Sequence, residues 1–149
     1  MFSSHKELLK SLDSSKLVGL VPTMGSLHKG HLSLIERALI ENQQVIVTIY
    51  INPTQFNNKK DYLSYPKNLN KDLNILKKLK VNFVYIPNKK DIYSFKRKKA
   101  IVLKKENKIL CAKFRKGHFE GVVDVMDRLT NIIKPNKIFM GEKDYQQLL

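Results

Sequence analysis

The sequence predicts an α/β domain with a doubly wound parallel sheet, and three observations carry that expectation. Apolar runs of strand length recur at Leu17–Val21, Val45–Ile51, Asn82–Ile86 and Lys137–Met140. The first two are rich in β-branched residues and continuously apolar, the pattern of strands buried on both faces. Segments with apolar residues at helical spacing separate the runs, so strand, helix and strand alternate along the chain. Taken in order, Lys6 to Leu12 reads as a short amphipathic helix. Leu32, Ile35, Ala38 and Leu39 mark one face of a helix over His31–Glu41, which joins the first two strands by a right-handed crossover. Asn52 to Lys60 is polar and reads as a loop. Leu69, Leu73, Leu76 and Leu79 form the stripe of a helix that begins near Pro66. Pro87 stops the third strand, and the lysine-rich residues 88–110 read as a surface insertion or small hairpin, with β-like runs at Ala100–Leu103 and Lys108–Cys111. A last amphipathic helix is expected over Glu120–Ile133, ended by Lys134-Pro135-Asn136 ahead of the fourth strand.

The 149 residues suit one domain with a core of its own. No apolar run approaches the roughly 18 residues of a membrane span. Met1-Phe2-Ser3-Ser4-His5 lacks the basic start and apolar stretch of a secretory leader, so a cytoplasmic protein without a membrane partner is expected. The single Cys111 leaves no internal disulfide and no cysteine zinc site. A net charge of +15 suits a polyanionic partner, but lysine outnumbers arginine 24 to 4. Arginine is the residue suited to planar phosphate and base recognition. No arginine stripe or aromatic platform accompanies the charge, so no nucleic-acid partner is expected.

Ligands of such sheets bind beyond the carboxyl ends of the strands. That directs attention to residues 22–31, 52–58 and 141–147. In Pro22-Thr23-Met24-Gly25-Ser26-Leu27-His28-Lys29-Gly30-His31 a strand opens into a helix, whose first amide groups suit phosphates. His28 and His31, three residues apart, share a side at a helix start and can meet a developing negative charge. An isolated His-x-x-His is more often a pair of surface histidines, but the enclosed Gly30, the upstream Gly25 and the strand–helix setting favour function. No carboxylate or third histidine lies nearby in sequence, so no protein metal site is expected there. Asn52-Pro53-Thr54-Gln55-Phe56 offers the Gln55 amide as donor and acceptor, or is an ordinary Asn-Pro turn. Gly141-Glu142-Lys143-Asp144-Tyr145-Gln146-Gln147 pairs a phosphate-seeking lysine with two more amides, or is a solvated helix start. Arg115-Lys116-Gly117-His118-Phe119 is a weaker candidate, equally readable as a basic turn.

These stretches together resemble the pantoate–β-alanine ligase (pantothenate synthetase) family. Val21–His31, Asn52–Phe56, Asp61 with Tyr65-Pro66-Lys67, Gly117–Val122 and Gly141–Leu148 match five of its motifs in order. His-x-Gly-His alone is shared by many nucleotidylyl transferases, whereas Asn-Pro-x-Gln-Phe with Gly-Glu-Lys-Asp-Tyr-Gln-Gln is far more specific. The resemblance implies a Rossmann-like domain of the nucleotidylyl transferase type. It implies that pantoate attacks Mg2+-bound ATP to give pantoyl adenylate and pyrophosphate, and that β-alanine then displaces AMP to give pantothenate. By that pattern Met24, Gly25, Ser26, Leu27, His28, Lys29, Gly30 and His31 line the ATP site, with Gly141, Glu142, Lys143 and Asp144. His31 is the proton donor, with His28 beside it. Gln55 binds pantoate and reaches the β-alanine position, and Gln147 holds pantoate. The magnesium rides mostly on ATP, with Asp72 a candidate contributor.

Lys67 stands where the family has Arg, Lys116 where it has Pro, and Asp124 and Thr130 where it has Thr and Phe. Asp124 is expected to place a carboxylate near the nucleotide. Family members continue into a phosphate-closing segment and a small C-terminal domain. The 149 residues are thus expected to be the N-terminal domain, cut short and inactive alone, and homodimeric like its relatives. Another His-x-Gly-His nucleotidylyl transferase is the rival reading, and a basic nucleic-acid-binding module a more distant one.

Overall fold

Four parallel strands form the sheet in the order β3-β2-β1-β4. A computed structural model describes residues 1–94 and 118–141. In chain order these are α1 (His5–Ser11), β1 (Val18–Thr23), α2 (Lys29–Glu41), β2 (Gln44–Ile49), a 3-10 turn (Pro53–Gln55), α3 (Lys59–Ser64), α4 (Leu69–Lys78), β3 (Phe83–Tyr85), α5 (Lys89–Ile92), α6 (His118–Ile133) and β4 (Lys137–Ile138). The register runs Val18↔Gln44 to Thr23↔Ile49 between β1 and β2, and Gly19↔Lys137 between β1 and β4.

Side chains alternate across the sheet, so β1, β2 and β3 feed two cores. Val21, Val45 and Val47 pack with Ile35 and Ala38 of α2 and Leu76 of α4. Leu20, Ile46 and Tyr85 face the other way, onto Leu8 of α1, Ile92 of α5, and Val125 and Leu129 of α6. Every residue of β2 is buried, as expected for a central strand covered on both sides.

The sheet splays apart at its carboxyl end between β1 and β4. Even-numbered residues of β1 bond toward β4: Val18 O accepts from Asn136 N (2.8 Å) and Leu20 O from Phe139 N (2.9 Å). Pro22 is the next residue on that side, and β4 has already ended. A proline inside a central strand normally forfeits a ladder bond. Here its missing N–H falls on the open side, where no strand among the described residues is paired.

Asparagine marks the starts of four elements. The side chains of Asn52, Asn58, Asn68 and Asn88 accept from Thr54 N, Asp61 N, Lys71 N and Asp91 N, respectively. Each satisfies a donor that a helix start leaves unpaired. Two of these starts depart from the sequence expectation. Lys59–Ser64 is helical where the polar loop was expected to run through Lys60, because Asn58 caps it. Lys89–Ile92 is a helical turn that buries Ile92 completely, rather than the start of a surface insertion. The expected runs at Ala100–Leu103 and Lys108–Cys111 lie outside the described residues. No helix among the described residues is long and apolar enough to cross a membrane.

Candidate active site

The splayed end of the sheet opens into a cleft of about 700 Å³. Its floor is Pro22, Thr23, Thr48 and Tyr50, and one wall is Met24 to Ser26 with His28 and His31. Gln55 and Phe56 stand opposite, α3 and its exit contribute Asp61, Ser64, Tyr65 and Pro66, and α6 adds His118, Val122, Val125, Met126 and Leu129.

The first wall is held by backbone strain and one carboxylate. Gly25 (φ 80°) and Ser26 (φ 52°) are both left-handed, which turns the chain sharply off β1. Asp72, 2% exposed, accepts from Ser26 N (2.9 Å) and Leu27 N (2.9 Å). A side chain at Gly25 would stand 3.0 Å from Asp72 Oδ2 and 3.2 Å from Ile49. Asp72, a candidate to reach magnesium, gives one oxygen to each of these loop amides. Burial, then the nearby Asp72 carboxylate, push the Tyr65 phenol up, so it stays protonated.

The two histidines meet as their spacing predicts, with ring centroids 4.0 Å apart. His28 caps α2, its Nδ1 accepting from Gly30 N (3.1 Å). His31 reaches back, its Nδ1 accepting from His28 N (3.4 Å). These bonds fix both tautomers. A ring nitrogen that accepts carries no proton, so each neutral imidazole holds its proton on Nε2. Two Nε2–H donors at a helix N-terminus suit an anionic ligand.

Gln55, 7% exposed, sits at the end of the 3-10 turn, with its Nε2 on Met24 Sδ (2.7 Å). A thioether is a weak acceptor, so the amide gives up little by turning to a better partner. The turn is clamped onto α6. Asn52 Nδ2 donates to Gly121 O (3.0 Å), and His118 Nδ1 donates to Gln55 O (2.5 Å). The Asn-Pro segment is thus a turn and a site element at once.

Two buried hydroxyls at the cleft, Thr48 Oγ1 and Tyr50 Oη, have no hydrogen-bond partner among the described residues. Burial pushes the Tyr50 phenol up, with Tyr93 and Tyr62 adding to the effect. Neither residue stood out in the sequence, since both read as part of an apolar strand. Alternation from Ile46 was the available signal: Thr48 and Tyr50 fall on the α6 face.

Other expected site residues fall differently. Leu27, expected at the nucleotide, turns its side chain into the α2–α4 core, because its amide is drawn to Asp72. Lys29 and Gly30 are exposed at the start of α2, and Gly141 follows β4 beyond the cleft-lining Met140. Glu142, Lys143, Asp144, Gln146 and Gln147 lie outside the described residues, as do Arg115, Lys116 and Gly117. Asp124, expected to bring a carboxylate to the nucleotide side, is instead paired with Arg128 (Nε to Oδ2, 3.0 Å). Its neighbours Val122, Val125 and Met126, with His118 and Leu129, are the α6 residues at the cleft.

A family model described as pantoate-beta-alanine ligase matches residues 1–149. The chain belongs to the pantoate–β-alanine ligase family. Among members of that family, a pantothenate synthetase of Pseudothermotoga lettingae is 45% identical over 142 residues, covering 95% of this chain and 50% of the relative. One from Francisella tularensis subsp. novicida is 49% identical over 140 residues, covering 93% and 54%. The chain spans about half the length of the curated relatives it matches. The crystal structure of the Francisella tularensis pantoate-beta-alanine ligase, complexed with beta-gamma ATP and β-alanine, superposes with a TM-score of 0.91. It is 46% identical, over 99% of this chain and 58% of that one. The pantothenate synthetase of Thermus thermophilus gives a TM-score of 0.90 at 37% identity, over 99% and 53%.

Proposed function

We propose that this chain carries the ATP and pantoate sites of an enzyme that condenses pantoate with β-alanine, driven by cleavage of ATP to AMP and pyrophosphate. The observation that carries the reading is one cleft, lined on one side by His28 and His31 at a helix start and on the other by the buried Gln55 amide. In the first step a pantoate carboxylate oxygen attacks the α-phosphorus, and the bond to pyrophosphate breaks. In the second, the β-alanine amine attacks the acyl carbon, AMP leaves with the bonding pair, and the nitrogen sheds a proton.

The residue chemistry suits those steps. The attacking carboxylate must keep its electron density. A neutral amide orients it without the charge withdrawal of an arginine clamp. Negative charge builds instead on the phosphates, where the two Nε2–H groups can meet it. His31 is assigned as the proton donor to the phosphates and His28 as its neighbour. Lys143, Asp144 and Gln147, with Gly141 and Glu142, complete the site in this reading. Magnesium enters on the triphosphate, and Asp72, with one oxygen on each of two amides, holds the loop beside it. A cytoplasmic homodimer is part of the same proposal.

Pantoate-dependent exchange of labelled pyrophosphate into ATP tests it. The intact protein should catalyse the exchange, and His31→Ala should abolish it with the fold retained. Exchange supported equally by a phosphorylated substrate in place of pantoate would favour the other nucleotidylyl transferases. Gln55→Glu should bind pantoate more weakly than Gln55→Ala, because like charges repel strongly in a poorly solvated site.

A further inference from the structure

The turn that presents Gln55 is also held from outside the cleft. Asn52, 1% exposed, accepts at Oδ1 from the Tyr93 hydroxyl (3.0 Å) as well as from Thr54 Oγ1 (3.0 Å). The two hydroxyls lie 3.2 Å apart. Tyr93 closes α5, one residue after the buried Ile92. The guanidinium of Arg128 lies over its ring, 4.5 Å from the centroid. Arg128 is in turn held one helical turn back, with Nε on both oxygens of Asp124 (3.0 and 3.2 Å). Their side chains are only 12% and 22% exposed, so solvent screens the pair poorly.

We propose that Tyr93, steadied by Arg128 and Asp124, is a positioning residue for Gln55 and sets pantoate affinity without touching substrate. The hydroxyl fixes the Asn52 amide. That amide ties the turn to Gly121 O, and Gln55 is the last residue of the turn. The stacked cation keeps the phenol from swinging out, and the carboxylate keeps the cation in place. The carboxylate and cation on α6 thus steady the turn instead of facing the nucleotide. The proposal rests on the assignment of Gln55 to pantoate.

Tyr93→Phe is the test, because it removes one hydroxyl and keeps the ring beneath Arg128. In the intact protein the KM for pantoate should rise about threefold to tenfold, the worth of one lost hydrogen bond. The KM for ATP and kcat at saturating pantoate should hardly change. Gln55→Ala should raise the pantoate KM by itself and abolish any further effect of Tyr93→Phe in the double variant. A Tyr93→Phe protein with a lower Tm and an unaltered pantoate KM would overturn the proposal and leave the Gln55 assignment standing. So would a Tyr93→Phe effect of undiminished size in the Gln55→Ala background. A pantoate KM untouched by Gln55→Ala would overturn both. Should Tyr93→Phe fail to fold, Arg128→Gln is read by the same criteria.

Discussion

Gly121→Ala is the sharpest perturbation of the clamp between α6 and the Gln55 turn. A Cβ at this position would stand 2.6 Å from Thr54 O, 2.8 Å from Thr54 C and 2.9 Å from Gln55 Cα. Ordinary contact begins near 3.4 Å, so the turn and helix must separate by about 0.8 Å. All three atoms are backbone, so no rotamer change relieves the overlap. Overpacking of this kind costs about 1–3 kcal/mol. Replacing a helical glycine by alanine returns about 1 kcal/mol. The net loss of stability should therefore be about 0–2 kcal/mol, too little to unfold an ordinary domain. Misplacing a substrate-positioning group by about 1 Å costs about a hundredfold in rate. The expected outcome is a folded protein with a small drop in Tm and a large drop in kcat/KM for pantoate. Circular-dichroism melting and pantoate-dependent pyrophosphate release measure the two. Gly19→Ala is the control, since the nearest atoms to its Cβ belong to the Asn42 side chain, 2.7 Å away, and not to the Gln55 turn. It should lower stability and spare pantoate kinetics. Unchanged kcat/KM in Gly121→Ala, or an equal defect in both variants, would refute the reasoning.

His28→Ala should lose adenylation and about 1 kcal/mol of stability, whereas His28→Asn restores the helix cap and should lose adenylation alone; urea unfolding separates the two roles. Asp72→Asn leaves Ser26 N–H or Leu27 N–H facing an amide NH2. It should cost about 1–3 kcal/mol and weaken ATP binding in calorimetry, with the magnesium requirement unaltered. The Tyr85 phenol is pushed up by burial, by its hydrogen bond to Asp91 and by that carboxylate's charge. The unfolded chain then releases this proton first, so its contribution to stability is intact below about pH 10 and falls as pH rises beyond it. Urea unfolding repeated across that range should show the decline, and Tyr85→Phe should make it shallower.

The sheet and both main crossover helices were legible because continuous apolarity and helical spacing are properties of neighbours in sequence. Val18–Thr23, Gln44–Ile49 and Lys29–Glu41 fall within three residues of expectation. The His28–His31 pairing was legible for the same reason. What escaped the sequence depends on distant partners. Nothing local shows that the Asp72 oxygens meet the Ser26 and Leu27 amides, forty-six and forty-five residues upstream. Asp124 read as a charge near the nucleotide because its bond to Arg128 and the ring beneath that arginine are tertiary facts. Lys89–Ile92 read as surface because its two lysines outweigh one buried isoleucine. Thr48 and Tyr50 were hidden by a strand apolar enough to mask which face each residue occupies.

The pairing of Gly19 with Lys137 also governs the order in which the site comes into being. A ribosome delivers about 5–20 residues per second. The loop over Met24–Leu27 and α2 therefore emerge well before α6, which supplies the clamp and part of the cleft lining. Contacts this remote in sequence are slow to close. Until α6 emerges, the Gln55 carbonyl and the Asn52 amide lack the His118 and Gly121 partners that clamp the turn. In this fold the binding cleft is completed late in assembly, when the strand beside β1 is put in place.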